Sequence, residues 1–599
     1  MYNIGDIKQE IKNLKKYSDY INISNQIDKS DEIRQKLKEI KIFFLRSYTL
    51  ENIETILKVE CFKDNMYPKI KIGGFNQYFQ EVLNTESDLF KFKPNIVIIS
   101  IRLEDLFPEL YKSSIIAKDI LKQKEHEILN MYETIINNIK KNLDAFVLID
   151  NFVPPIYMNN GIYDFQITNG VINFIRLLNY KLVELKEKYK GVYINDLEHI
   201  SSNLGNENII DSKMWYLAKN PFNVNLYINL ANVYVKYIKA IYGKKKKCIV
   251  LDLDNTLWGG IIGEDGFNGI KLGETYPGNC YKDFQIELLK LKQRGIILAI
   301  NSKNNYDDAI EVINNHPDMI LRERDFVSIK INWNDKASNI MDIARELNIG
   351  LDSMVFIDDN PVECEYVKEK LPEVVTIKLP ENPIDLKNFI DGLDYFESLE
   401  LTNEDRKKTD MYREQIQREN FKSNFDNIID FYKNLNMIVT IKSIDDFYIP
   451  RVAQLTQKTN QFNLTTKRYT EEDIKKINQS GKYLIYVFNV EDKFGDYGTV
   501  GLVIIQKESD KIWYIDTFLM SCRVMNRMLE NVMMGFIYEQ AVKNSIETII
   551  GEYIPTRKNI PVKDFYPKMG FVEKDRKYYL DIRKANLNYP EYYKINIAI

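Results

Sequence analysis

Histidine and cysteine are scarce in this chain. Among 599 residues there are three histidines (His126, His199 and His316) and five cysteines (Cys61, Cys248, Cys280, Cys364 and Cys522). No two histidines stand at ligand spacing, which argues against a histidine-rich metal site. The cysteines are odd in number, widely spaced and without a CxxC pair, so neither a disulfide framework nor a structural zinc site is expected. A surplus of charge is missing as well. The formal net charge is -4, which gives no bulk electrostatic case for nucleic acid. No apolar run approaches the ~20 residues of a membrane span. The opening MYNIGDIKQEIKNLKKYSDY lacks the basic-then-apolar order of a signal peptide. These absences predict a cytoplasmic protein with neither a nucleic-acid nor a membrane partner. What remains is ordinary: 45% apolar and 28% charged residues, as in globular proteins. At about 150 residues per domain the length allows three or four domains.

One stretch organises the rest, KKKKCIVLDLDNTLWGGIIGEDG from Lys244 to Gly266. Cys248 to Leu251 are continuously apolar, as in a parallel strand covered on both faces. The strand runs into Asp252 and Asp254, and open α/β sheets bind ligands at the carboxyl ends of their strands. Two carboxylates this close raise one another's pKa unless a cation sits between them. Magnesium, held by oxygen ligands, is the natural cation. One carboxylate is then free to attack phosphorus and form an aspartyl-phosphate. From the pair alone, capping and solvation of a strand end is an equal alternative.

The string DLDNT after an apolar strand resembles the first motif of the haloacid-dehalogenase-type phosphohydrolases. DLDNTLWGG followed by GEDG resembles one branch of them, the FkbH-type proteins of polyketide and related assembly lines. The resemblance implies a phosphorylated three-carbon donor, 1,3-bisphosphoglycerate, and delivery of a glyceryl- or lactyl-type unit to the phosphopantetheine arm of an acyl carrier protein. Three further strand ends follow in order. Ile296 to Ile300 leads to Asn301-Ser302-Lys303-Asn304, similar to the second motif, whose serine binds the transferring phosphoryl group. Asn334-Asp335-Lys336 opens a helix and places Lys336 as the third motif, where a cation neutralises charge in the transition state. Met354 to Ile357 leads to Asp358-Asp359-Asn360-Pro361, the fourth motif and the remaining magnesium ligands. By this resemblance Asp252 is the nucleophile, Asp254 the acid and base, and Asp252, Asp254, Asp358 and Asp359 the metal set. Asn255, Thr256, Ser302, Asn304 and Lys336 would bind the phosphate or substrate. Few residues separate the first two motifs, so the cap must be small, and Trp258 to Gly273 is the candidate flap.

The flanks extend the resemblance. In residues 1–243, strands at Ile42–Leu45, Asn95–Ser100, Ala145–Ile149 and Val192–Asn195 alternate with helices, notably Ser114–Lys141 and Val171–Lys190. That alternation implies a parallel sheet. The region resembles the SGNH-hydrolase-like amino-terminal part of longer FkbH-type proteins, with Ser47 in the nucleophile's place. No GDS triplet is present, and Asp211 to Asn229 holds no histidine to activate a hydroxyl. Ser47 therefore reads as structural and the domain as a docking or scaffold element. Residues 244–379 form the phosphohydrolase-like domain, entered through a solvated lysine loop, and 380–435 a helical connector. Residues 436–599 resemble a GNAT-like acyltransferase domain, with strands at Tyr483–Val490, Thr499–Ile505 and Lys511–Thr517 and a helix from about Met525. Its phosphate turn lacks glycines, having Asn526 and Met528 instead. Arg523 and Arg527 either hold a pantetheine-arm phosphate or merely start the helix. Cys522 and Cys248 are candidate relay thiols. The overall expectation is a multidomain α/β enzyme. A stand-alone small-metabolite phosphatase, or a carrier-docking scaffold with a vestigial hydrolase core, are the alternatives.

Overall fold

The continuous apolar runs become strands because helices cover both faces of the sheets they join. In the computed structural model β1 (Lys38–Arg46), β2 (Met66–Ile72), β3 (Ile96–Ser100), β4 (Phe146–Asp150) and β5 (Val192–Asn195) form a parallel sheet in the order β2-β1-β3-β4-β5. Alternate residues of β1 serve opposite cores: Phe44 packs with Ile56, Leu230 and Tyr234, whereas Phe43 packs with Ile135, Ile139 and Leu178. β1 starts at Lys38, earlier than its apolar run. β2 is an unexpected edge strand whose Pro68, Lys69 and Lys71 break the apolar pattern. The structure describes the chain except residues 1–3, 12, 13, 15, 31–33, 36, 114, 115, 402–407, 423, 424, 426, 460, 526 and 557, and except the side chains of residues 415, 419, 420, 458 and 522. Ser114, the 402–407 part of the connector, Asn526 and the Cys522 side chain thus lie outside the described residues.

A second parallel sheet comprises β6 (Cys248–Leu251), β7 (Ile297–Ser302), β8 (Phe326–Ile331), β9 (Met354–Asp358) and β10 (Val375–Lys378), ordered β10-β9-β6-β7-β8. β6 is central, as its fully buried residues require. A third, mostly antiparallel sheet holds β11 (Met437–Ser443), β12 (Phe462–Asn463), β13 (Tyr483–Asp492), β14 (Gly495–Ser509), β15 (Ile512–Met520), β16 (Thr548–Gly551), β17 (Val572–Lys574), β18 (Lys577–Asp581) and β19 (Tyr593–Ala598). Its order is β17-β18-β16-β15-β14-β13-β11-β19, with β12 against β15. The mixed α/β, multidomain class expected from the sequence holds.

The chain divides into two compact units, Met1–Lys245 with Glu397–Glu400, and Lys246–Phe396 with Leu401–Ile599. The lysine segment is not the solvated loop expected. Lys244 Nζ donates to the Asp64 carbonyl within the first unit, and Lys246 Nζ to the Asp352 carbonyl within the second. In the connector, the helix Lys408–Lys422 is part of two cores. Tyr412 and Ile416 pack against the β6-centred sheet, and buried Arg418 pairs with Asp492 of β13 at 2.8 Å. No helix among the described residues is long and apolar enough to cross a membrane.

Candidate active site

Four strand or helix ends meet on one edge of the second sheet. Asp252 follows β6, Ser302 closes β7, Asp358 closes β9, and Lys336 opens the helix Lys336–Leu347. Local chemistry fixes each end. The Asp335 side chain caps that helix by accepting the Ser338 N–H, and the Asn360 side chain caps the next, with Pro361 in its first turn. Both are ordinary ways to satisfy unpaired helical N–H groups.

Lys336 stands between the acidic ends. Its Nζ lies 2.9 Å from Asp252 Oδ2 and 2.6 Å from Asp358 Oδ2, and it is 3% exposed. Burial alone would lower its proton affinity, but the two carboxylates outweigh burial and raise it. Burial, reinforced by Asp252, pushes Asp358 up to about 6, against the pull of Lys336. Burial and then Asp252 likewise raise Asp359. Ligand atoms of Asp252, Asp358 and Asp359 all lie within 4.8 Å of one another. Oδ1 of Asp252 is buried and accepts no hydrogen bond. An oxygen-only donor set with one buried oxygen left open fits a hard divalent cation.

Asp254 differs from the expectation that placed it among the metal ligands. Its carboxylate is absent from that cluster because three donors occupy it. Trp258 Nε1 (2.9 Å) and the Ile262 N–H (3.1 Å) reach Oδ1, and Asn304 Nδ2 (2.9 Å) reaches Oδ2. Burial outweighs these donors, so Asp254 holds its proton more readily than an ordinary aspartate. Asn304 is thereby spent on Asp254 rather than presented to a phosphate. Asn255 is also turned inward, its Oδ1 accepting the Gly260 N–H at 2.8 Å. Thr256 is fully buried, and its Oγ1 has no hydrogen-bond partner. Ser302 is buried on the same edge.

Trp258 is not flap but core, being fully buried. The segment after it is pinned by paired hydrogen bonds between Gly259 and Lys271. A Cβ on Gly259 would lie 2.8 Å from the Tyr281 ring, so only glycine fits there. Sequence reasoning also missed the amides behind Lys336. Asn301 donates to the Lys336 carbonyl at 2.9 Å and accepts from Asn339 at 3.0 Å. The asparagine-rich run 301–305 was the available signal.

The remaining candidates do not join this edge. Cys248 is fully buried in β6, and burial pushes its thiol well up, which removes it as a relay nucleophile. The helix expected from Met525 begins at Leu529. Arg527 precedes it and is buried near Asp492 (3.7 Å) and over the Tyr497 ring (4.8 Å), so it faces protein rather than an incoming phosphate. Arg523 Nε donates to Ser521 Oγ at 3.2 Å. β15 and β16 pair only from Ile512 to Tyr514 and then part. The chain itself fills the gap: β12 pairs with β15, the Leu464 N–H donates to the Phe518 carbonyl, and the Ile554 N–H donates to the Leu464 carbonyl. In the first unit, Ser47 Oγ donates to Asp105 Oδ2 at 2.6 Å and accepts the Arg102 N–H. Both contacts are half-buried, and Asp105 itself is exposed.

Fold and site together define a protein built on a haloacid-dehalogenase-type core. Residues 53–239 match the family model described as FkbH, N-terminal domain. No curated protein matches the chain. Among solved structures, the N-terminal part of the protein BF1531 from Bacteroides fragilis, containing a phosphatase domain and complexed with Mg, is 29% identical with a TM-score of 0.56. That match covers 67% of this chain and 100% of the other. Two further solved structures match more weakly. Ard1 from Thermoplasma volcanium is 19% identical, with a TM-score of 0.19, over 24% of this chain and 94% of its own. The ribosomal-protein-S18-alanine N-acetyltransferase from Escherichia coli is 17% identical, with a TM-score of 0.20, over 25% and 99%. Residues 53–239 thus form a domain of the FkbH N-terminal type.

Proposed function

We propose that the chain is a magnesium-dependent phosphohydrolase acting on a phosphorylated three-carbon acyl donor, 1,3-bisphosphoglycerate by resemblance. The freed glyceryl- or lactyl-type unit would pass to the thiol of an acyl carrier protein in polyketide or related secondary metabolism. The observation that carries this is the cluster of Asp252, Asp358 and Asp359 beside Lys336, with one oxygen of Asp252 open. Magnesium, the ion in the Bacteroides fragilis structure, would be held by those three carboxylates and would neutralise them together with the phosphoryl oxygens.

The chain's own groups then divide the work. A carboxylate oxygen of Asp252 forms a bond to phosphorus while the donor's ester P–O bond breaks. Asp254, held by Trp258 and Asn304, gives its proton to the departing alkoxide. Lys336 balances the negative charge that builds on the phosphoryl oxygens, and Ser302 donates to one of them. Asp254 then takes a proton from water, which attacks the aspartyl-phosphate, frees phosphate and restores Asp252. Attack at the ester phosphate leaves the acyl phosphate at the other end intact. A carrier thiolate can displace that second phosphate and form the thioester.

A plain phosphatase on a small metabolite is the second reading. The self-filled gap beside β15 and the inward Arg527 favour it, because the described residues there are taken up by the chain itself rather than presented to a carrier's arm. The intact set around Lys336 speaks against a vestigial core. The test is intact-mass analysis of a carrier protein incubated with the chain, magnesium and 1,3-bisphosphoglycerate, with inorganic phosphate measured in parallel. A glyceryl mass gain with phosphate release supports transfer. Magnesium-dependent phosphate release from small phosphate esters, without mass gain, supports the second reading. Neither signal with any donor rejects both.

A further inference from the structure

The first unit holds a cavity of about 310 Å3 that the phosphoryl chemistry does not use. It lies over the carboxyl ends of three strands: Tyr48 follows β1, Ser100 closes β3 and Asp150 closes β4. In the order β2-β1-β3-β4-β5 the sheet grows in opposite directions from β1 and β3. Open parallel sheets form their ligand crevice at such a reversal.

The lining sorts into three kinds. The walls are apolar, with Phe152, Val153, Ile209 and Phe222. The floor is polar but satisfied: Ser100 Oγ donates to Asp150 at 2.5 Å and meets Tyr48 Oη at 2.8 Å. Two lining residues each carry a buried polar atom that lacks a hydrogen-bond partner. Arg102 pairs through Nη2 with Glu104 at 2.8 Å and lies over the Trp215 ring, but its Nη1 is buried without a hydrogen-bond partner. Asn206 Oδ1 is buried without a partner as well. A buried donor and a buried acceptor left open in one cavity are costly unless something fills them.

We propose that this cavity binds a small hydroxy acid with an apolar body. Its carboxylate would accept from Arg102 Nη1, its hydroxyl would donate to Asn206 Oδ1, and its carbon chain would lie against Phe152 and Phe222. The volume is at the low end for ligand sites, too small for a nucleotide coenzyme. A phosphate dianion fits poorly, because Asp150 and Glu104 line the same cavity and one guanidinium already shared with Glu104 cannot offset that repulsion. The site lies wholly in the first unit, and the proposal does not depend on the phosphohydrolase reading.

Isothermal titration calorimetry on the full chain tests it with four probes of equal tail: 2-hydroxyhexanoate, hexanoate, hexan-1-ol and hexyl phosphate. The expected order has 2-hydroxyhexanoate tightest, hexanoate next, and the alcohol and phosphate about tenfold or more weaker. Arg102→Gln should cost the acids about tenfold while leaving the alcohol unmoved. Asn206→Leu should cancel the advantage of the hydroxy acid over hexanoate. Ile156→Trp, which puts bulk into the cavity, should abolish binding of all four, whereas Asp252→Asn should change nothing. Equal binding of acid and alcohol, tightest binding of hexyl phosphate, no saturable binding at millimolar probe, or indifference of a folded Arg102→Gln chain would overturn the proposal. If Arg102→Gln loses its circular-dichroism signature, the ranking of the four probes on the unaltered chain decides.

Discussion

The two parallel sheets of this protein bury carboxylates at matching places and treat them in opposite ways. At the end of β4, Asp150 is 2% exposed and accepts three neutral donors: Ser100 Oγ at 2.5 Å, Tyr234 Oη at 2.6 Å and Asn195 Nδ2 at 2.7 Å. At the ends of β6 and β9, Asp252 and Asp358 share a lysine, and one oxygen of Asp252 accepts nothing. Neutral donors satisfy Asp150 without bringing a cation to it. A lysine with an open oxygen leaves a site that a cation and a phosphoryl group can finish. A parallel sheet thus supplies the location, and the partners of its carboxylates decide whether chemistry happens there.

That contrast breaks most visibly at Asp252. Asp252→Asn keeps the shape but removes the nucleophile, so phosphate release should fall by several orders of magnitude. The protein should stay folded by circular dichroism, because the change also relieves repulsion with Asp358. Near-normal release would place the nucleophile elsewhere and erase the distinction between the two edges.

Lys336→Met comes next. It leaves two buried carboxylates without their cation, which should cost ~3–5 kcal/mol of stability at neutral pH. Chelated protein should show the full loss in denaturant melts, and magnesium should restore part of it. Phosphate release should drop about a hundredfold to a thousandfold even with magnesium. A stability equal to that of the unaltered chain would mean that the ion pairs seen at Lys336 contribute nothing net.

A third test uses pH on metal-free protein. Asp358 holds its proton up to about 6 when folded, whereas an unfolded aspartate releases it near ~3.9. The folded state therefore binds more protons between these values, and stability contributed by this group is lost as pH rises from about 4 to about 6. The loss is on the order of 2–3 kcal/mol. Comparing melts of the chelated chain with those of Asp358→Asn isolates it: the difference should shrink the slope in that window, and magnesium should stabilise more at the upper end. A parallel pH course in both proteins would contradict the assignment.

The smallest effects belong to the first sheet. Asp150→Asn disturbs three hydrogen bonds and should cost about 1–3 kcal/mol. Ser47→Ala removes a hydroxyl held by Asp105 and the Arg102 N–H and should cost about 1 kcal/mol. Both should leave magnesium-dependent phosphate release within a few-fold of normal. Collapse of release in a folded Asp150→Asn chain would show that the first sheet's edge takes part in the phosphoryl chemistry.

How much of this could be read in advance follows the same division. The sequence alone determined β6, β7 and β9 and the acidic pairs behind them, because strands covered on both faces must be continuously apolar and the residues after them are local in the chain. It could not place β2 or β10, edge strands whose half-covered faces tolerate Pro68, Lys69 and Thr376. The missing histidine near Ser47 was legible in the sequence, whereas the Asp105 carboxylate on its hydroxyl was not. Asp254 was not: its carboxylate looked like a metal ligand until folding brought Asn304 and the Ile262 N–H onto it. Arg527 misled in the same way, because the hairpin between β13 and β14 that buries it beside Asp492 and Tyr497 comes from elsewhere in the chain. Residue type and spacing set which charges could meet. Only the tertiary structure, by choosing which donors reach each buried carboxylate at hydrogen-bond distance, decided which one is completed and which one is left to react.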